Sequence, residues 1–142
     1  MGTLTEANPN ARELITEVLD EILLWRALKV VSEFLRARNV QMVRIEFGFV
    51  VSRDLAGKKQ GCDQILQIAE LEGFMKKAIE EGTIETMGTS DFLFYPLDSD
   101  LTFMLCNDGD LHFASTTPSL LAELSETFRT SKIEVYDSRR LN

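Results

Sequence analysis

From Ala78 to Phe128 the chain has no lysine and no arginine. The same stretch holds ten acids: Glu80, Glu81, Glu85, Asp91, Asp98, Asp100, Asp108, Asp110, Glu123 and Glu126. Direct nucleic-acid binding needs basic surface to displace phosphate counterions, so this half of the chain excludes it. Anionic membrane surfaces are disfavoured for the same reason. The imbalance is local: residues 1–60 carry +1 and residues 61–142 carry −9, within a total of −8. Such asymmetry bears on partners and solubility rather than on fold.

Cysteine is scarce too. Cys62 and Cys106 are the only two, with no CxxC spacing. Residues 1–13 are polar and have no apolar stretch, so no signal peptide is expected. Free thiols in a reducing, cytoplasmic compartment follow as the expectation. Charges interrupt every apolar run short of a membrane span. Glu6 stands where N-myristoylation needs Ser or Thr. No N-x-[ST] sequon, GxSxG elbow, internal repeat or low-complexity tract occurs. His112 is the only histidine, so any imidazole proton transfer must use it.

What is present suits one folded domain. With 142 residues, 44% apolar and 27% charged, the chain can bury a core. The expected organisation is a flexible tail over 1–9, a single α+β domain over 10–138 and a tail over 139–142. Asn10 with Glu13 reads as a capping box opening a helix that runs to about Arg38, with Asn39 at its C-cap. Such a helix spans about 43 Å, against a radius of gyration of about 14–15 Å for a domain of this size. It must break near Arg26 or project into a partner. A homodimer through this helix or the sheet is therefore expected.

Val43 to Val51 alternates as a strand, and Arg53 to Gly61 reads as a loop. A second helix is expected from about Asp63 to Glu81, with Gly82 at C′. Thr83–Met87 is a short strand candidate, followed by a turn over 88–91. Phe92–Tyr95 is a strand ended by Pro96. Leu101–Cys106 and Leu111–Ser115 are strands around Asp108-Gly109, which favours a two-residue type I′ turn. Thr117 with Pro118 starts a third helix. Lys132–Tyr136 is a last strand, set parallel by the crossover helix. The order is α-β-α-β-β-β-β-α-β: a mainly antiparallel sheet of five or six strands with three helices.

The I′ turn makes opposed residue numbers sum to 217. Cys106 then faces Leu111, and Leu105 faces His112, with Cys106 and His112 on opposite faces. That register argues against a Cys–His nucleophilic pair. His112 reads as a buried imidazole bonded to a backbone group.

A metal site built on the aspartates fails on distance. Asp98 and Asp100 lie at one end of a six-residue strand and Asp108 and Asp110 at the other, about 20 Å apart. Asp91 is expected to share the second end. Neither metal nor cofactor is expected. Lys58, Lys59 and Gly61 precede a helix N-terminus, where a phosphate could sit, but the Walker spacing is missing.

The leading expectation is a non-enzymatic, acidic protein-interaction module of inhibitor, immunity or chaperone type. It presents Asp91, Asp98, Asp100, Asp108 and Asp110 to a basic protein partner. One alternative is a small-ligand sensor with an apolar pocket lined by His112, Tyr95 and Trp25. Another is a hydrolase-type enzyme using Asp91, Asp108, Asp110 and His112.

Overall fold

Asp20, not Asn10, opens the long helix. Its side-chain Oδ1 accepts the Leu23 N–H at 2.8 Å, and the helix runs only from Glu21 to Ala37 (α1). Leu19 and Leu24, both buried, hold the staple positions on either side of that cap. Seventeen residues span about 26 Å, which fits within the domain. Break and projection are both unnecessary, and the length argument for a dimer goes with them.

The structure, a computed structural model, describes residues 10–47, 64–82, 92–106 and 108–137. Arg12–Thr16, expected as helix, is strand β1. It lies inside the sheet with both faces covered: Glu13, Leu14, Ile15 and Thr16 are all buried. Ile15 and Thr16 are β-branched and suit that position. After α1 come β2 (Met42–Phe47), β3 (Gln64–Gln67), a 3-10 turn (Ile68–Glu70) and α2 (Leu71–Glu80). Then follow β4 (Phe92–Pro96), β5 (Thr102–Leu105), β6 (Leu111–Ser115), α3 (Pro118–Thr130) and β7 (Val135–Asp137).

Among the described residues the fold is α+β, with three helices and a seven-stranded antiparallel sheet in the order β3-β2-β4-β5-β6-β1-β7. The second helix is shorter than expected because Gln64–Gln67 pairs with β2 as an edge strand. Its apolar residues Ile65 and Leu66 fit a helical stripe equally well, and tertiary pairing decides. β7 is antiparallel to β1, its neighbour, rather than parallel. It does run the same way as β6, because β1 lies between them. Gly82 and Asn39 take the positive φ expected of residues just past a helix, at 76° and 62°. The tails, the 53–61 loop and the Thr83–Met87 strand lie outside the described residues. No helix among those described is long and apolar enough to cross a membrane.

All three described helices cover one sheet face. Alternate residues of the central strands send Ile45, Phe94, Phe103, Phe113 and Leu14 to that face, directly opposite one another. Phe94 and Phe103 stack at 4.9 Å. Phe74 of α2 meets Phe92, and Phe128 of α3 meets Phe113 at 5.5 Å. Under α1 the space left between Leu24, Ala27, Leu28, Phe94, Leu105 and Leu111 is about 10 Å³. That is about room for one water. The opposite sheet face carries Glu13, Ile15, Arg44, Tyr95, Met104, His112 and Ala114.

Candidate functional site at the β5–β6 turn

The turn between β5 and β6 is one residue longer than Asp108-Gly109 alone suggests. The Gly109 N–H donates to the Cys106 carbonyl at 3.1 Å, and the Cys106 N–H donates to the Asp110 carbonyl at 2.9 Å. Gly109 has φ 87°, whereas Asp108 does not take the positive φ a type I′ turn requires. These two bonds, with Gly109 in the left-handed region, are those of a three-residue hairpin. Opposed residues sum to 216: Phe103 faces Phe113, Met104 faces His112, and Leu105 faces Leu111.

A slip of one residue sends side chains to the other face. The expected separation of Cys106 from His112 is thus corrected: Cys106, Asp110 and His112 share a face. Donor atoms from the three lie within 4.8 Å of one another. The fourth member comes from β1, where Ile15 faces His112 and Glu13 lies diagonally across. Glu13 Oε2 is 2.7 Å from His112 Nδ1, and Asp110 Oδ1 is 3.1 Å from Nε2. The imidazole is bonded to two carboxylates rather than to a backbone group.

Burial works against charge on this ring. Hydrogen bonds to Asp110, Cys106 and Glu13, with attraction from the Cys106 sulfur, outweigh it and push the His112 pKa up to about 11. His112 is accordingly an imidazolium at neutral pH, donating from both nitrogens. Cys106 is 0% exposed, which bars it as a nucleophile toward a substrate arriving from solvent.

The turn also braces the start of α1. The Leu19 N–H donates to the Gly109 carbonyl at 2.8 Å. A Cβ at Gly109 would stand 3.4 Å from the Leu19 carbonyl oxygen and 3.5 Å from Val18 Cγ1. The Leu111 N–H donates to Thr16 Oγ1 at 3.0 Å. Beside this seam two large apolar side chains are exposed, Val18 at 69% and Ile22 at 72%. Asp20, Glu21 and Asp108, all exposed, accompany them on the α1 start and the turn.

At the other end of β5 the acids serve the backbone. Asp100 Oδ2 accepts from Ser115 Oγ at 2.7 Å, the Thr116 N–H at 2.8 Å, Thr116 Oγ1 at 2.5 Å and Thr117 Oγ1 at 2.9 Å. Partial burial opposes ionisation there. The bonds from Thr116, Ser115 and Thr117 prevail and hold the pKa at about 2. Thr117 caps α3 by position, but its hydroxyl is turned to Asp100. Asp98 is exposed with φ 61° in the β4–β5 turn.

The remaining expected site residues do not converge. Trp25 is on α1, with Lys76 Nζ 5.8 Å over its ring. Tyr95 lies on the opposite sheet face beneath Arg44, whose guanidinium carbon is 4.2 Å from the ring centre. β5 separates Tyr95 from His112. Asp91, Lys58, Lys59 and Gly61 lie outside the described residues. Glu13 and Cys106 are the two members of the cluster that pattern reading passed over. The signal for Cys106 was Gly109 at the third loop position, which suits a three-residue hairpin as well as a two-residue one. No family model, no curated protein and no solved structure matches this chain.

Proposed function

We propose that this chain is a non-enzymatic protein-interaction domain that docks a basic, amphipathic segment of a protein partner. The docking surface is the rim where the β5–β6 turn meets the start of α1. The observation that carries this reading is the exposure of Val18 and Ile22, at 69% and 72%, beside the carboxylates of Asp20, Glu21 and Asp108. Apolar anchors rimmed by one sign of charge fit a partner with apolar side chains and flanking Lys or Arg. Asp108 also belongs to the stretch from Ala78 to Phe128 that carries no lysine or arginine.

This rim is narrower than the five aspartates first nominated. Asp100 is bound to Ser115, Thr116 and Thr117, and Asp110 to His112, so neither carboxylate is idle. Asp108 remains at the rim, with Asp20 and Glu21 joining it.

The test is titration of the full chain with a fluorescent Leu/Lys amphipathic peptide at low and high salt. Binding is expected at low salt and weakens as salt rises. Glu21→Lys with Asp108→Lys should weaken it at least tenfold, Ile22→Ser should weaken it further, and Asp98→Lys at the far end should not. Equal binding by all variants would refute the rim.

A further inference from the structure

Beneath that rim, and independent of it, lies a cluster with different chemistry. We propose that Cys106, Asp110 and His112 form a binding site for a single divalent ion of the zinc class. One sulfur, one imidazole nitrogen and one carboxylate oxygen is a borderline donor set of the kind zinc takes. The three donors stand within 4.8 Å of one another. Bonds of about 2.0–2.3 Å at tetrahedral angles need donors about 3.3–3.8 Å apart, so the cluster closes by about 1 Å. All three residues sit on one hairpin, Cys106 and Asp110 joined by a backbone hydrogen bond of 2.9 Å.

Glu13 is the second, independent observation. A buried carboxylate is costly unless it is given a task. This one, 3% exposed, sits 2.7 Å from His112 Nδ1. Metal-bound histidines usually donate their other ring N–H to such a carboxylate, which fixes the ring and raises its basicity. Here that leaves Nε2, already 3.1 Å from Asp110, as the nitrogen turned to the ion, which displaces the Nε2 proton and the Cys106 thiol proton to solvent as it binds. Three protein donors leave a fourth position for water or an outside ligand.

Titration of the metal-free full chain with Co²⁺ tests the site. One equivalent should bind with a sulfur-to-cobalt charge-transfer band, and Zn²⁺ should displace it. Cys106→Ser should abolish the band, while Cys62→Ser keeps it. Glu13→Gln, which leaves the three donors in place, should weaken binding about 10-fold or more. If Cys106→Ser does not fold by circular dichroism, Asp110→Asn carries the comparison and should lose at least tenfold in affinity. No band at saturating Co²⁺, a band that follows Cys62, or unchanged affinity in Asp110→Asn would overturn the site and leave an ion-paired cluster.

Discussion

The two ends of the β5–β6 ribbon both hold aspartates, and they use them in opposite ways. At one end a single carboxylate, Asp100, accepts from neutral hydroxyls and an amide. At the other, Asp110 and Glu13 share a charged ring, with a buried sulfur alongside. Neutral donors satisfy an acid locally and finish a turn. A carboxylate–imidazole–thiol cluster holds groups that ligate metals, and with Glu13 it joins β1 to the β5–β6 hairpin. An acidic composition therefore conceals two populations, and only local geometry separates them.

The largest effect should come from breaking the charged end. Glu13→Ala removes the buried partner of His112 and should cost about 3 kcal/mol of unfolding free energy in urea titration. The double variant Glu13→Leu/His112→Leu should recover part of that loss, because the buried Glu13 carboxylate and its ring leave together and only the partly exposed Asp110 loses a partner. Equal losses from the single and double variants would show that packing, not pairing, matters there.

The neutral end should be weaker. Asp100→Ala leaves the buried Ser115 hydroxyl without its acceptor and should cost about 1–2 kcal/mol. Its pH dependence has a definite sign. The folded pKa, about 2, lies below the ordinary 3.8. The stabilisation is therefore present above pH 3.8 and fades as pH falls through the folded value of about 2. Wild type should lose stability relative to Asp100→Asn across that acid window, measured by thermal unfolding at stepped pH.

Gly109→Ala probes the turn that creates the difference between the ends. A positive φ and a close Leu19 carbonyl make the change cost about 1 kcal/mol, read in the same urea titration. The smallest effect belongs to Asp98→Gly. That residue is exposed with φ 61°, a conformation glycine adopts freely, so stability should change by less than about 0.5 kcal/mol.

Much of the fold was legible because its signals are local. Pro96 closing β4, Thr117-Pro118 opening α3, Gly82 after α2 and the span Leu111–Ser115 all follow from backbone preference and alternation. The failures are places where tertiary pairing outweighs a short pattern. Leu14, Ile15, Val18, Leu19 and Ile22 form a helical stripe on paper, yet Leu14 and Ile15 join a strand and Val18 and Ile22 are exposed. Asp20 is as good a cap as Asn10, and nothing local chooses between them. The candidate site was lost to one residue of hairpin register. Asn107-Asp108-Gly109 suits a two-residue or a three-residue loop, and the choice decides whether Cys106 meets His112.

That register is the point on which the site rests, and cross-strand nuclear Overhauser effects read it directly. The three-residue turn predicts an Hα–Hα contact between Phe103 and Phe113 and another between Leu105 and Leu111. Hα–Hα contacts of Met104 with Phe113 and of Cys106 with Leu111 would restore the two-residue turn, return Cys106 to the other face and dissolve the cluster.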